Sequence, residues 1–239
     1  MFPAELDALD DVVARVGSAD TSGMSIADQL RALERLETAQ RLLVARSHTI
    51  IRELADSKES TPAHLLVANM TRITPAEARR RLRAAEQLGP RSTLTGEPLP
   101  AELSATAEAW HAGALDGEHL RVIQKFMRDL PGGIAPDVVA DSEAFLALHA
   151  AQLRPDQLEK LAVQLAMRVN PDGTFSDEDR ARKRGFTWSP TQHPDGMSTG
   201  KLIATPEQRA MIDALLAKFA APGMCNPDDQ TPTTEGEAS

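Results

Sequence analysis

The sequence predicts a mainly α protein: a single multi-helix domain with a helix-turn-helix-like pair and one short β-hairpin near its C-terminus. Three observations predict it. Apolar residues recur at three- and four-residue steps through most of the chain, the spacing that lines up one face of a helix. Aromatic residues make up only 3%, with no tyrosine, so Leu, Ala, Val and Ile must build the core, which suits packed helices better than a β-sandwich. Helix start signals, a Ser, Thr or Asp followed by Pro or by an acid or amide three residues on, separate the periodic segments.

Taken in order, Leu6, Leu9, Val13 and Val16 mark a short amphipathic helix that Gly17 ends. Ser25 and Asp28 then open a long helix running to about Asp56, with Ile26, Leu30, Leu33, Leu43, Ile50 and Leu54 on its apolar side. Glu37 and Gln40 interrupt that seam, which predicts a helix packed on the core; a coiled-coil dimer is the alternative.

The stretch 63–88 organises the chain. It reads as a short helix, a tight turn and a second helix, with Thr74 as cap, Pro75 at the first position and Glu77 completing a Thr-x-x-Glu capping box. Ala78, Leu82, Ala85 and Leu88 share one face of the second helix. At about 100° per residue, Arg79, Arg80 and Arg83 point the other way, with Arg72 beside them at the turn. This is the outline of a helix-turn-helix, whose second helix can enter the major groove of DNA.

After Gly89-Pro90, residues 91–100 read as a loop. A helix over 101–112 aligns Leu103, Ala107 and Trp110 and stops at Gly113. Asp116 caps the next, with Leu120, Ile123, Met127 and Leu130 on one side, and Pro131-Gly132-Gly133 ends it. Two further helices are expected near 136–151 and 155–169. The run SDEDRARKR reads as a charged connector, and GFTWS with MSTGKLIAT as a hairpin. Thr205 and Gln208 form a second capping box, opening a helix with Met211, Leu215 and Phe219, or Ile212 and Leu216, facing inward. The expected domain covers 1–222, and 223–239 is expected to be a disordered acidic tail.

Composition limits the function classes. The net charge of −9 argues against a generic polyanion binder. The charge is uneven, however: residues 72–91 hold six arginines and two glutamates, a local balance of +4. The single cysteine, Cys225, excludes an intramolecular disulfide and any multi-cysteine zinc site. No apolar run approaches the roughly 20 residues of a membrane span. The acidic N-terminus lacks the layout of a secretory signal, so a cytoplasmic location is expected.

The search for chemistry finds no catalytic constellation. The six histidines are dispersed, with no ligand spacing for a metal, and His111 and His119 read as partly exposed helix-end residues. Asp177, Glu178 and Asp179 read as a solvated run. No phosphate-binding or dinucleotide-binding glycine pattern is present, so no cofactor and no small-molecule substrate are expected.

The runs RITPAEARRRLRAAEQLGPR, ELSATAEAWHAGALDGEHLRVIQKFMRDLP, LRPDQLEKLAVQLAMRVNPDG and RGFTW…DGMSTGKLIATPEQRAMIDALL, in this order, resemble the actinobacterial domain of unknown function 222, the 13E12 repeat family of mycobacteria. In that family the helical region precedes an HNH endonuclease domain. The resemblance implies a helical module beside a nuclease whose metal-binding histidines and cysteine pairs have no counterpart here. Where the family often has Thr or Ser before Pro155, this chain has Arg154, which removes a helix cap. The expectation is a non-catalytic accessory module that targets double-stranded DNA through Arg72, Arg79, Arg80 and Arg83. The alternatives are an interaction module that dimerises through the long helix, and a truncated repeat copy without a role.

Overall fold

The computed structural model describes residues 2–57, 60–93, 95–173 and 175–219. The element order among them is α1 (Phe2–Gly17), α2 (Ile26–Ala55), α3 (Ala63–Thr71), α4 (Pro75–Leu88), β1 (Arg91–Ser92), β2 (Pro98–Leu99), α5 (Ser104–His111), α6 (Gly117–Asp129), α7 (Pro136–Ala150), α8 (Pro155–Val169), α9 (Asp177–Lys183), β3 (Gly185–Trp188), β4 (Gly200–Ile203) and α10 (Pro206–Phe219). The fold is mainly α with small antiparallel strand pairs, as the periodicity predicts. None of the described helices is long and apolar enough to cross a membrane. The described residues of Met1–Asp129 and Ala135–Val169 form one compact unit, and those of Leu130–Ile134 and Asn170–Ser239 another. The predicted tail and Cys225 lie outside the described residues.

In the first unit, α2 begins at Ser25, whose hydroxyl accepts from the Asp28 amide at 3.2 Å. Its second half buries Ala45, His48 and Ile51, one line at three-residue steps, rather than the predicted Ile50 and Leu54, which are half-buried. Ile51 joins Val67 and Ala68 of α3 and Ala78 and Ala85 of α4 in one apolar cluster, flanked by Ile73 and Leu82. The first half of α2 departs from expectation. Ile26, Leu30 and Leu33 are 76%, 62% and 57% exposed, so the predicted core seam is uncovered there. The Arg46 guanidinium lies 5.1 Å above the Phe2 ring, which brings the start of α1 back against α2.

Helices α5 to α8 pack on one another around Leu103, Leu115, Ile123, Leu146 and Leu158, all almost wholly buried. Gly113 ends the α5 turn at φ +71, and a Cβ there would meet Leu42 of α2 at 2.9 Å. Glycine is required on both counts. The N-terminus of α5 has no local side-chain cap. Glu143 of α7, 4% exposed, supplies one from a distance: its carboxylate accepts from the amides of Thr106 at 2.6 Å and Ala105 at 3.3 Å, and from the Thr106 hydroxyl. This joins α7 to the positive end of α5. His119 is not the partly exposed residue expected. It is buried, with Nδ1 2.8 Å from Asp116 Oδ1 and Nε2 2.8 Å from the Leu153 carbonyl, so it ties α6 to the turn before α8. At that turn Arg154 provides no side-chain cap, and its own amide is taken by Gln157 Oε1 at 3.1 Å.

The second unit also corrects two expectations. The charged connector is the helix α9, opened by a reciprocal Ser176–Asp179 capping box. Asp179 is buried rather than solvated, accepting from the Gly132 amide at 3.1 Å and from Arg182 at 2.7 Å. The predicted hairpin is present, pairing Gly185 with Ile203 and Trp188 with Gly200. Thr205 and Gln208 cap α10 reciprocally, as predicted. Of its apolar residues whose side chains are described, only Ile212 is partly covered, while Met211, Leu215 and Leu216 are exposed. In the first unit, the predicted loop 91–100 contains the two-residue pairing of β1 with β2.

Glu143→Ala removes three charge-assisted hydrogen bonds at a buried site and is expected to cost about 2–3 kcal/mol of stability in urea titrations. Glu159→Ala, which breaks an exposed pair with Lys125, is expected to cost under about 1 kcal/mol. Equal losses would contradict the capping role of Glu143.

Candidate nucleic-acid interface

The turn between α3 and α4 is three residues long, Arg72 to Thr74. Arg72 sits at φ 57 and ψ 41, the left-handed conformation that ends a helix, and its amide donates to the Ala68 carbonyl. Thr74 Oγ1 then accepts from the Glu77 amide at 3.2 Å, and Pro75 takes the first helical position. Only this half of the expected capping box forms. The Glu77 carboxylate instead holds Arg80 and, at 3.0 Å, the Arg81 Nε.

Helix α4 buries Ala78, Ala84, Ala85 and Leu88, a face wider by Ala84 than the spacing predicts. Its outer side carries Arg79, Arg80 and Arg83, all exposed, with Arg72 exposed at the turn. Arg79 Nη2 lies 3.1 Å from His64 Nε2 on α3, which spans the turn and steers that guanidinium. Arg83 makes no ion pair among the described residues. Arg79 and Arg83 are four residues apart, about 6 Å along the axis, and stand one above the other. Five N–H donors on each planar guanidinium suit this arrangement to phosphate oxygens or guanine edges. Arg81 turns inward, beside Glu77. Burial pushes the Glu77 carboxyl up, but hydrogen bonds and charge from Arg81 and Arg80 outweigh it and hold it below its ordinary value.

Behind this face lies a feature the sequence does not reveal. His48 of α2, 7% exposed, stacks on Trp110 of α5 at 5.2 Å between ring centroids and 28° between planes. Burial, then the Arg81 charge, lowers the His48 pKa to about 4; Glu77 opposes this and His111 adds to it. The two rings are 62 positions apart, so no local pattern could pair them. No cluster of three or more His, Cys, Asp or Glu among the described residues is placed to hold a metal ion.

Residues 30–238 match the family described as domain of unknown function, DUF222. The chain belongs to that family. It is 44% identical over 236 residues to an uncharacterized protein of Mycobacterium tuberculosis H37Rv, Rv1945, covering 97% of this chain and 52% of the relative. An uncharacterized protein of Mycobacterium bovis, Mb1179c, is similar to the same extent. The chain thus spans about half the length of the curated relatives it matches. No solved structure matches it.

The buried His48 sets a pH limit on this DUF222 chain. Its folded pKa lies below the ordinary 6.5, so the unfolded chain takes up the proton first, and stability is lost as pH falls from about 6.5 toward about 4. Between pH 7 and 5 this group is expected to remove about 2 kcal/mol. His48→Phe, which keeps the stack on Trp110 without a titrating nitrogen, should flatten that limb in urea titrations at the two pH values. An unchanged slope would contradict the assignment.

Proposed function

We propose that this chain is a non-catalytic accessory module of an HNH-endonuclease-type protein, and that it holds duplex DNA through the outer face of α4. The observation that carries this reading is one exposed helix side bearing Arg79, Arg80 and Arg83, next to Arg72, on the second helix of a pair joined by three residues. The local balance of +4 within a chain of −9 makes the contact local and salt-sensitive rather than driven by overall charge. The remainder of the longer relatives is where this reading places the nuclease chemistry.

Fluorescence anisotropy of a labelled duplex tests it at low and physiological salt. Four phosphate contacts predict an affinity loss on the order of 100-fold between about 50 and 200 mM salt. The variant Arg79→Ala/Arg80→Ala/Arg83→Ala should lower the slope of log affinity against log salt by roughly 2–3. Absence of binding at the lower salt, or an unchanged slope in the variant, would sink the proposal.

A second reading is favoured by a specific observation, the uncovered stripe of Ile26, Leu30, Leu33 and Leu36 on α2. A contiguous apolar face of this kind marks an interaction site. Its occupant in this reading is a second copy of the chain. The three- and four-residue steps offer knobs and gaps that the same helix can match about a two-fold axis. The flanking Asp28, Arg31, Glu34, Arg35, Glu37 and Arg41 alternate in sign closely enough to avoid a run of like charge. Light scattering should give a dimer mass that falls to the monomer in Leu30→Glu/Leu33→Glu, while a monomeric parent chain would rule this reading out.

A further inference from the structure

Helices α2, α4, α5 and α6 close around a cavity of about 170 Å³ that shares Arg80 with the outer face of α4. His48 and Trp110 line its inner wall, and Arg80, Arg81, Arg121 and Glu77 line its polar side. Trp110 is 2% exposed, yet its Nε1 has no hydrogen-bond partner, and the buried His48 Nδ1 has none either. An indole N–H can only donate, and leaving a buried donor unmade is costly. Three arginines against one glutamate give the lining a balance of +2 on a chain of −9.

We propose that this cavity binds a small oxyanion, a phosphate group, with Arg81 and Arg121 donating to its oxygens. Glu77 already occupies one edge of Arg81 through Nε, and the planar guanidinium retains further N–H donors for the anion. Arg121 is held at the rim by the Gly117 carbonyl at 3.1 Å and Glu118 at 3.3 Å. Val44, Ala84 and Leu120 supply the apolar part of the lining. The site shares Arg80 with the DNA-contact face of α4, while Arg79 and Arg83 are not among its lining residues.

The test uses the full chain carrying Trp188→Phe, which leaves Trp110 as its one indole. Inorganic phosphate is titrated at constant ionic strength against chloride, with Trp110 emission and calorimetry as readouts. A saturable response with a dissociation constant at or below about 1 mM is expected. Arg121→Gln should weaken it about tenfold or more. Lys125→Gln, which removes the same charge from the same helix outside the cavity, should leave it unchanged. No saturable response by about 20 mM, or equal loss in the two variants, would overturn the proposal. Repeating the titration with duplex DNA present separates the two sources of phosphate. Competition supports a site for a backbone phosphate, and an unaltered constant supports a site for a free anion.

Discussion

The close seating of α4 on α2 and α3 is the constraint on which the rest of the first unit depends. Ala78, Ala84 and Ala85 carry almost no side chain, so the helix can lie deep against Ile51, Val67 and Ala68. A helix seated that closely has little freedom to rotate, since the packed interior permits few rearrangements without voids. The arginines are then fixed by geometry: Arg79, Arg80 and Arg83 are outside, and Arg81 is directed inward to Glu77. The same seating places Glu77 and Arg81 beside His48, and thereby couples the α4 surface to the α2–α5 stack.

Much of the fold is legible from local signals. Ser25, Thr74 and Thr205 each cap the helix they introduce, because a side-chain oxygen at that position satisfies an otherwise unpaired amide. The exposed placement of Arg79, Arg80 and Arg83 follows from helical spacing alone. The roles of Glu143, His119 and Asp179 do not. Each serves a backbone group or helix end brought near only by folding, across 34 to 47 positions in sequence. A carboxylate in a charged run looks solvated until the amide it caps is known. Glu77 pairs with Arg80 and Arg81 at three- and four-residue spacings that are legible in the sequence, and these pairs take the carboxylate that a full capping box would use.

The apolar seam of α2 shows the opposite limit. Spacing identifies which residues share a face, and Ile26, Leu30 and Leu33 do, but it does not say what covers that face. In the first half of the helix little does; in the second half the buried line shifts to Ala45, His48 and Ile51. One continuous helix therefore has two environments. The second half is a structural support for α3, α4 and α5, and the first half is a surface.

The central claim is that the packed first unit presents α4 as its contact surface for nucleic acid. Amide hydrogen exchange of the full chain, with and without a short duplex at about 50 mM salt, tests it most directly. Added protection is expected to concentrate in the α3–α4 turn and the first half of α4, residues 72–83, with the first half of α2 unchanged. Protection confined to α9, the β3–β4 hairpin or α10, with none over residues 72–83, would contradict it.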